Sequence, residues 1–557
     1  MTRSTGATAF VDGLKSFGMT NIFGAGGSSY GPIQDVIIDR PEMNYYLALH
    51  EMVNTAMADG FARVTGRPSI AMVHVAVGTV NALGSIFCAY RDHTPMVVLA
   101  GDQSTSLLGR KSYNEAPQQL ASIVRPFVKS SWQVLRADRI LEDLGRAIAT
   151  ASSAPQGPVF LSLPKDLMLE KFEVVVPGTT HLRIFSDNKP NDDAIAVAAG
   201  LVDSSEHPVI VIGSGVAKSC ASKEIIELAD RLAAPIFLEK NSYVIDLPTD
   251  HPLYLGDFSP DHLEVKNTDL LINVGGRTEI QMEPSLYSII PPSAPVIHIN
   301  LDPGDIGLVH RADAGIVADP KQAVQELLKK LHPSSIAKVE ARRTRIITNQ
   351  KAFVQIIDHR IQANWDSSPV KLGRFLKELA RMIDPKQTVL VGHGSGIILV
   401  RHLLRPWTIF GQTGPGYLGW VLSASLGIKL GLPDRRVICI LGDGNFMFGS
   451  QALWTAAKYG IAVTIVILDN RFYLSELSQK NLESNSLLGV DIGEPPMDFV
   501  KMADSMNVAA RRIERPSDVQ PALKEAFTTS GPFVIDLMLD RENPNTIVRE
   551  ALKSHKT

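Results

Sequence analysis

Two apolar runs, Arg436-Val-Ile-Cys-Ile-Leu441 and Ile461-Ala-Val-Thr-Ile-Val-Ile-Leu468, constrain this chain more than anything else in it. Each is continuously apolar over strand length and rich in β-branched residues, the pattern of a strand buried on both faces in a parallel sheet. Between them, Gly449-Ser-Gln-Ala-Leu-Trp-Thr-Ala-Ala-Lys458 has helical composition and apolar spacing, so the expected order is strand, turn, helix, strand. Each run closes on hard oxygen donors, the first on Gly442-Asp443-Gly444 and the second on Asp469-Asn470. Ligands of open α/β sheets bind where strands end in the carboxyl direction, so Asp443 and Asn470 at adjacent strand ends can share one cation. Mg²⁺ suits them: it takes one or two protein oxygens and completes its shell with phosphate oxygens and water, while Gly442 and Gly444 let backbone approach the phosphates. Gly-Asp-Gly by itself also makes an ordinary strand-end turn; the downstream Asn at this distance favours a metal and diphosphate site.

At 557 residues the chain is too long for one core, and three α/β domains are the natural partition. Strand-like and helical stretches alternate in the first, from the amphipathic Ala7–Phe17 through Asn21–Phe23, the helix-like Glu51–Arg63 and strands Ser69–Val73, Met96–Ala100 and Pro158–Leu163. A polar linker follows from Val176 to Asp192. The second unit carries strand Pro208–Ile212 and then Gly213-Ser-Gly215, a weak dinucleotide signal because a third glycine is missing. A basic helical connector with Arg342-Arg343-Thr-Arg345 reads as a solvated face between domains. The expected fold is therefore three doubly wound parallel-sheet α/β domains over residues 1–178, 190–335 and 368–557. A formal net charge of -3 argues against a nucleic-acid partner. The scattered Cys88, Cys220 and Cys439 lack metal spacing and read as reduced thiols, no apolar run reaches membrane length, and the N-terminus has no cleavable apolar leader. A cytoplasmic protein with no membrane partner is the expectation.

The Gly-Asp-Gly, the interval and the closing Asn resemble the signature of thiamine diphosphate (ThDP) enzymes, which have Asn-Asn where this chain has Asp469-Asn470. Glu51 stands at a helix start, where a carboxylate complements the helix dipole. The stretch that follows it, Ala56-Met-Ala-Asp-Gly-Phe-Ala-Arg63, is similar to the family's A-x-x-A-D-G-Y-A-R. Ala76-Val-Gly-Thr-Val-Asn81-Ala82 resembles its G-x-G-x-x-N-A segment and is expected as a loop, and Gly414-Pro-Gly416-Tyr-Leu418-Gly419-Trp420 resembles the segment that holds the cofactor bent. The resemblance implies ThDP and Mg²⁺ as cofactors. It gives the metal the side-chain oxygens of Asp443 and Asn470 and the main-chain carbonyl of Phe472. It sets Gly442, Gly444, Asn445 and Ser395 about the diphosphate and Asn81 among the cofactor-binding residues. The carbonyl of Gly416 meets the 4′-amino group, Leu418 wedges between the rings, and Glu51 bonds the aminopyrimidine N1′.

Within that family the chain is most similar to benzoylformate decarboxylases, through stretches such as Ala154-Pro-Gln-Gly-Pro-Val-Phe-Leu-Ser162 and Ile492-Gly-Glu-Pro-Pro-Met-Asp-Phe499. This implies non-oxidative decarboxylation of a 2-keto acid, benzoylformate-like or another bulky or aliphatic one, to an aldehyde, with carboligation as a side activity. Ser28 matches the serine that meets the substrate carboxylate. His74 matches the histidine that relays protons, or is a satisfied strand-end histidine. Glu476, six positions past Asn470, resembles the glutamate of pyruvate decarboxylases, or is a solvated helix residue. Two departures stand out: Gly275–Pro284 has no counterpart to the decarboxylases' second histidine, and the His-His pair of pyruvate decarboxylases is absent. The nearest rival is an acetolactate synthase-like carboligase, with or without FAD, to which Leu163-Pro-Lys-Asp-Leu-Met168 leans, although no Trp follows Asn470 as in such enzymes. A catalytically silent ThDP-fold binding subunit is the alternative from another class. The family builds each active site between two chains, which implies a homodimer or homotetramer.

Overall fold

The computed structural model describes residues 2–107, 110, 120–176, 188–239, 242–277, 290–333, 335–394, 396–405, 407–411, 416–477 and 487–554. Three parallel sheets organise them. The first runs Asn44–Leu47, Asn21–Gly24, Ser69–His74, Met96–Asp102, Pro158–Pro164, Ser130–Gln133 in spatial order. The second runs Tyr254–Asp257, Ile236–Leu238, Pro208–Ile212, Leu270–Val274, Val296–Asn300, Ala314–Val317. Its chain order reverses between Pro208–Ile212 and Leu270–Val274, and a reversal of this kind opens a crevice at the strand ends. The third runs Thr408–Phe410, Thr388–Gly392, Arg436–Gly442, Val463–Asp469, Phe533–Met538, Ala509–Ile513, with one antiparallel edge strand, Val244–Asp246, beside Thr408–Phe410. That edge strand comes from the middle of the chain, so the second unit lends a strand to the third sheet. The doubly wound α/β architecture is thus the expected one.

The two apolar runs are adjacent parallel strands, Val437 opposite Val463 and Gly442 opposite Leu468, and their residues from Val437 to Leu441 and from Val463 to Asp469 are buried. Two local expectations need correction. A helix begins at Asp443 itself and runs to Gly449, followed by a second at Ala452–Tyr459, so no open turn intervenes. Val75–Arg91 is one continuous helix, so the segment Ala76–Ala82 is not a loop; Val75, Ala82, Ile86, Cys88 and Ala89 of this helix pack into the core, and that packing outweighs the glycine and β-branched residues that argue against helix. The basic connector also departs from a solvated face. It lies on the helix Ile336–Ala363, where Arg345 pairs with the carboxylate of Glu264 at 2.6 Å, Arg343 with Asp230 at 2.9 Å, and Arg342 donates to the carbonyl of Leu232. These arginines fasten the connector to the second unit.

The first and third sheets meet through two helices. Glu51–Thr65 starts on His50, whose Nδ1 accepts from Met52 N–H, and ends on Gly66, whose left-handed φ of 65° lets its N–H reach the Ala62 carbonyl. It crosses Trp420–Gly431 at backbone distance. A Cβ on Gly427 would stand 1.9 Å from the Met57 carbonyl oxygen, and one on Gly60 would stand 2.2 Å from that of Ala424. The apolar core there is continuous from Met52 and Val53 to Trp420 and Leu422. Among the described residues no helix is long and apolar enough to cross a membrane. The three cysteines are free, Cys88 and Cys439 buried and Cys220 exposed.

Candidate active site

Asp443 follows the strand Arg436–Gly442 and opens a helix, and the residue is 1% exposed. Oδ1 accepts from Gly444 N–H at 2.7 Å and Oδ2 from Arg471 N–H at 2.5 Å. Burial pushes this carboxyl from an ordinary 3.8 up to about 7; the backbone N–H groups pull it down, and neighbouring Asp469 pushes it further up. Asp469 is raised as well, again chiefly by burial. Arg471 takes a left-handed φ of 60°, which turns the chain so that Asn470 Oδ1 accepts from Phe472 N–H at 2.9 Å. Asp443, Asn470 and the Phe472 backbone therefore converge at two neighbouring strand ends, and all three are buried.

The glycines around this point have separate roles. Gly444 is required by packing, since a Cβ would stand 2.3 Å from the Tyr473 ring. Gly442 faces open space, with nothing within 4 Å of where a Cβ would lie, and so does Gly416, which has a φ of 58°. Asn445 joins the two segments, its Oδ1 accepting from Gly419 N–H at 2.8 Å, so the stretch leading to Trp420 is fastened to the Asp443 helix. Leu418 lies half-buried beside it.

A second cluster forms on the first sheet. Glu51, 8% exposed at the start of its helix, receives a hydrogen bond from Asn81 Nδ2 at 3.1 Å. Gly78 lets the carboxylate in, since a Cβ there would lie 2.6 Å from Glu51 Oε1 and 3.0 Å from His74 Cβ. His74 ends the strand Ser69–His74 and precedes the helix Val75–Arg91. Its Nδ1 stands 2.8 Å from the hydroxyl of Ser29, while Ser28 is exposed.

The predicted residues thus gather into two groups: Glu51, Asn81 and His74 with Ser28 at the rim, and Asp443, Asn470, Phe472, Asn445, Gly442, Gly444 with Gly416 and Leu418. Among the described residues of one chain no hydrogen bond joins the groups. Ser395 lies outside the described residues, as do Gly414 and Pro415, and Glu476 belongs to the helix Leu474–Leu477 with its side chain outside the description. Sequence reasoning missed Ser29, which only the distance to His74 reveals, and Gly78, whose need follows from the carboxylate packed against it.

Three segments match the thiamine pyrophosphate enzyme domains: the N-terminal TPP binding domain at residues 4–122, the central domain at 195–327, and the C-terminal TPP binding domain at 394–537. The chain belongs to the thiamine pyrophosphate enzyme family. It is a ThDP-dependent enzyme, and both clusters fall within or beside the matched cofactor-binding segments. It is 31% identical to a probable acetolactate synthase large subunit of Methanocaldococcus jannaschii, over 96% of this chain and 92% of that protein. It is 28% identical to a benzoylformate decarboxylase of Pseudomonas aeruginosa, over 94% of this chain and 97% of that one. The crystal structure of benzoylformate decarboxylase from Polynucleobacter necessarius superposes with a TM-score of 0.83 at 25% identity, covering 97% of this chain and 99% of its own.

Proposed function

We propose that this ThDP enzyme performs Mg²⁺-dependent, non-oxidative decarboxylation of a 2-keto acid to an aldehyde. The donor set supports the metal: Asp443, Asn470 and the Phe472 carbonyl offer oxygen ligands, the groups that act most strongly on the buried Asp443 carboxyl besides burial are backbone N–H groups and another acid, and among the described residues no cationic side chain pairs with it. Mg²⁺ takes such ligands and supplies the missing positive charge. The diphosphate fits beside it, over the open face of Gly442 and the N-terminus of the helix Asp443–Gly449. When bound, ThDP supplies a carbon nucleophile and holds the electron pair released as CO₂ leaves.

This chain's own residues set protonation and position. In this reading Glu51, buried and hydrogen-bonded by Asn81, holds a proton on the pyrimidine ring. Ser28, exposed on the turn that carries Ser29, meets the substrate carboxylate in this reading. The observation that carries decarboxylation is His74, whose Nδ1 is held on Ser29 and whose Cβ, like the Glu51 carboxylate, lies within 3.0 Å of where a Cβ on Gly78 would stand. A histidine beside the activating acid can deliver the proton that releases an aldehyde. Retention of Glu51, Asp443 and Asn470 together speaks against a silent binding subunit. Two copies complete each site in this reading, and the exposed apolar rim of Leu49, Val77 and Val80 supports a homodimer or homotetramer. A cytoplasmic location goes with the free thiols.

Carboligation in the manner of an acetolactate synthase is the second reading, supported by the 31% identical relative. It is also supported by a cavity of about 280 Å³ at the strand ends of the second sheet, lined by Ser214, Gly215, Lys218, Gly275 and Arg277, where the strand order reverses and FAD would lie. The test is incubation with ThDP, Mg²⁺ and a panel of 2-keto acids, measuring CO₂, aldehyde and hydroxyketone. Aldehyde in step with CO₂ supports the first reading; one hydroxyketone per CO₂, or a yellow protein, supports the second. Glu51→Gln is expected to lose turnover by on the order of a hundredfold or more while keeping ThDP, checked by single-turnover CO₂ release and cofactor titration.

A further inference from the structure

The hydroxyl that reaches His74 belongs to Ser29, which no motif in the sequence marks. The turn Ser28–Tyr30 lies against the strands Ser69–His74 and Met96–Asp102. Ser29 is 7% exposed, with Oγ 2.8 Å from His74 Nδ1. Two packing features hold it there. The neighbouring Tyr30 is fully buried and its hydroxyl donates to the Ala25 carbonyl. Gly101, on the strand beneath, leaves room for the turn, since a Cβ there would stand 2.7 Å from Ser29 Oγ. The backbone on both sides is thus pinned, and the Ser29 side chain has little freedom to leave His74.

An imidazole works on a proton at one nitrogen with defined geometry when the other nitrogen is held. Resting on the decarboxylase reading above, we propose that Ser29 is a positioning residue for His74: its Oγ accepts the Nδ1 hydrogen and so presents Nε2 as the nitrogen that exchanges a proton with the reacting centre. Nδ1 keeps its hydrogen throughout. Nε2 takes up one proton, giving the imidazolium, and gives it back, so the bond to Ser29 is intact in both states and the ring does not turn between them. Without the hydroxyl the imidazole divides between two tautomers and is free to rotate. Proton transfer then slows while the groups that bind substrate and cofactor stay in place.

The test uses four holoenzymes, wild type, Ser29→Ala, His74→Ala and the double variant, with the 2-keto acid that wild type decarboxylates fastest. Ser29→Ala is expected to lower kcat by on the order of tenfold or more and to displace the histidine limb of the kcat–pH profile. KM and ThDP affinity should stay within about twofold, and in the His74→Ala background the second substitution should cost nothing further. Equal losses in both backgrounds would mean that Ser29 acts through the fold alone and would overturn the proposal, as would an unchanged kcat and pH profile in Ser29→Ala. Wild type that releases no CO₂ from any 2-keto acid overturns the decarboxylase reading and this proposal with it, an outcome that the wild-type control separates from failure of the Ser29 role.

Discussion

Asp443, proposed above as a metal ligand, shows how burial tunes one carboxyl. Its carboxyl, buried beside Asp469, holds a proton up to about pH 7 in the metal-free chain. In the proposed site Mg²⁺ needs the carboxylate, so below that pH binding would have to expel a proton. Affinity for Mg²⁺, measured by calorimetric titration with ThDP present, is expected to fall about tenfold per pH unit below 7 and to level off above it. A flat profile from about pH 6 to 8 would contradict this account of the site. The sign for stability is opposite to that of a salt-bridged aspartate. Between an unfolded value near 3.8 and a folded value near 7 the native chain keeps a proton that the unfolded chain has lost, so the metal-free protein loses stability as pH rises through that window. Saturating Mg²⁺ should remove the loss.

At the scale of elements, the decisive contact is the crossing of the helices Glu51–Thr65 and Trp420–Gly431. Their backbones touch at Gly60 and Gly427, so the glycines set how closely the two cofactor-binding domains approach. Gly427→Ala forces a methyl group against the Met57 carbonyl and is expected to cost about 1–3 kcal/mol or more in urea unfolding. Gly200, in the exposed face of the helix Asp192–Ser204 with nothing within 4 Å of its missing Cβ, is the control. Alanine there should stabilise by about 0.5–1 kcal/mol. Equal effects at the two positions would show that helix propensity and not packing governs the crossing.

Across the whole molecule, one buried charge network links the three units. Arg63, on the helix that Glu51 starts, forms a two-pronged pair with Asp59 at 2.8 Å and a second pair with Asp92 at 2.7 Å, all with side chains at most 2% exposed. Its guanidinium also donates to the Gly411 carbonyl and lies over the rings of Trp420 and Tyr243, while Trp420 Nε1 donates to Asp59. Lys218 of the second unit reaches back to the carbonyls of Asp92 and His93, and Arg277 to that of Arg91. The stretch Ala56–Arg63, which carries family resemblance, therefore serves as an inter-domain joint. Arg63→Met removes the cation that both buried carboxylates face and is expected to cost about 3–5 kcal/mol. In calorimetry the endotherm should move down and separate into domain transitions; a single endotherm, unshifted, would show that the joint is not needed for cooperativity.

What the sequence by itself determined was local. A parallel strand is buried on both faces and so is written as an unbroken apolar run, which made the third sheet's central strands readable along with the oxygen donors at their ends, Asp443 and Asn470. Glu51 was readable because its motif spans a single helix. The tertiary structure decided whatever depends on partners distant in the chain: that Ser29 and not Ser28 faces His74 across 45 positions, that Val75–Arg91 is helix from its first residue, that Arg342, Arg343 and Arg345 bind the second unit, and that Val244–Asp246 joins the third sheet. Glycine carries this division most plainly. Its absent side chain leaves no periodicity to read, so the need for Gly60, Gly78, Gly101 and Gly427 follows from the atom standing where a Cβ would be, and that atom belongs to another part of the chain.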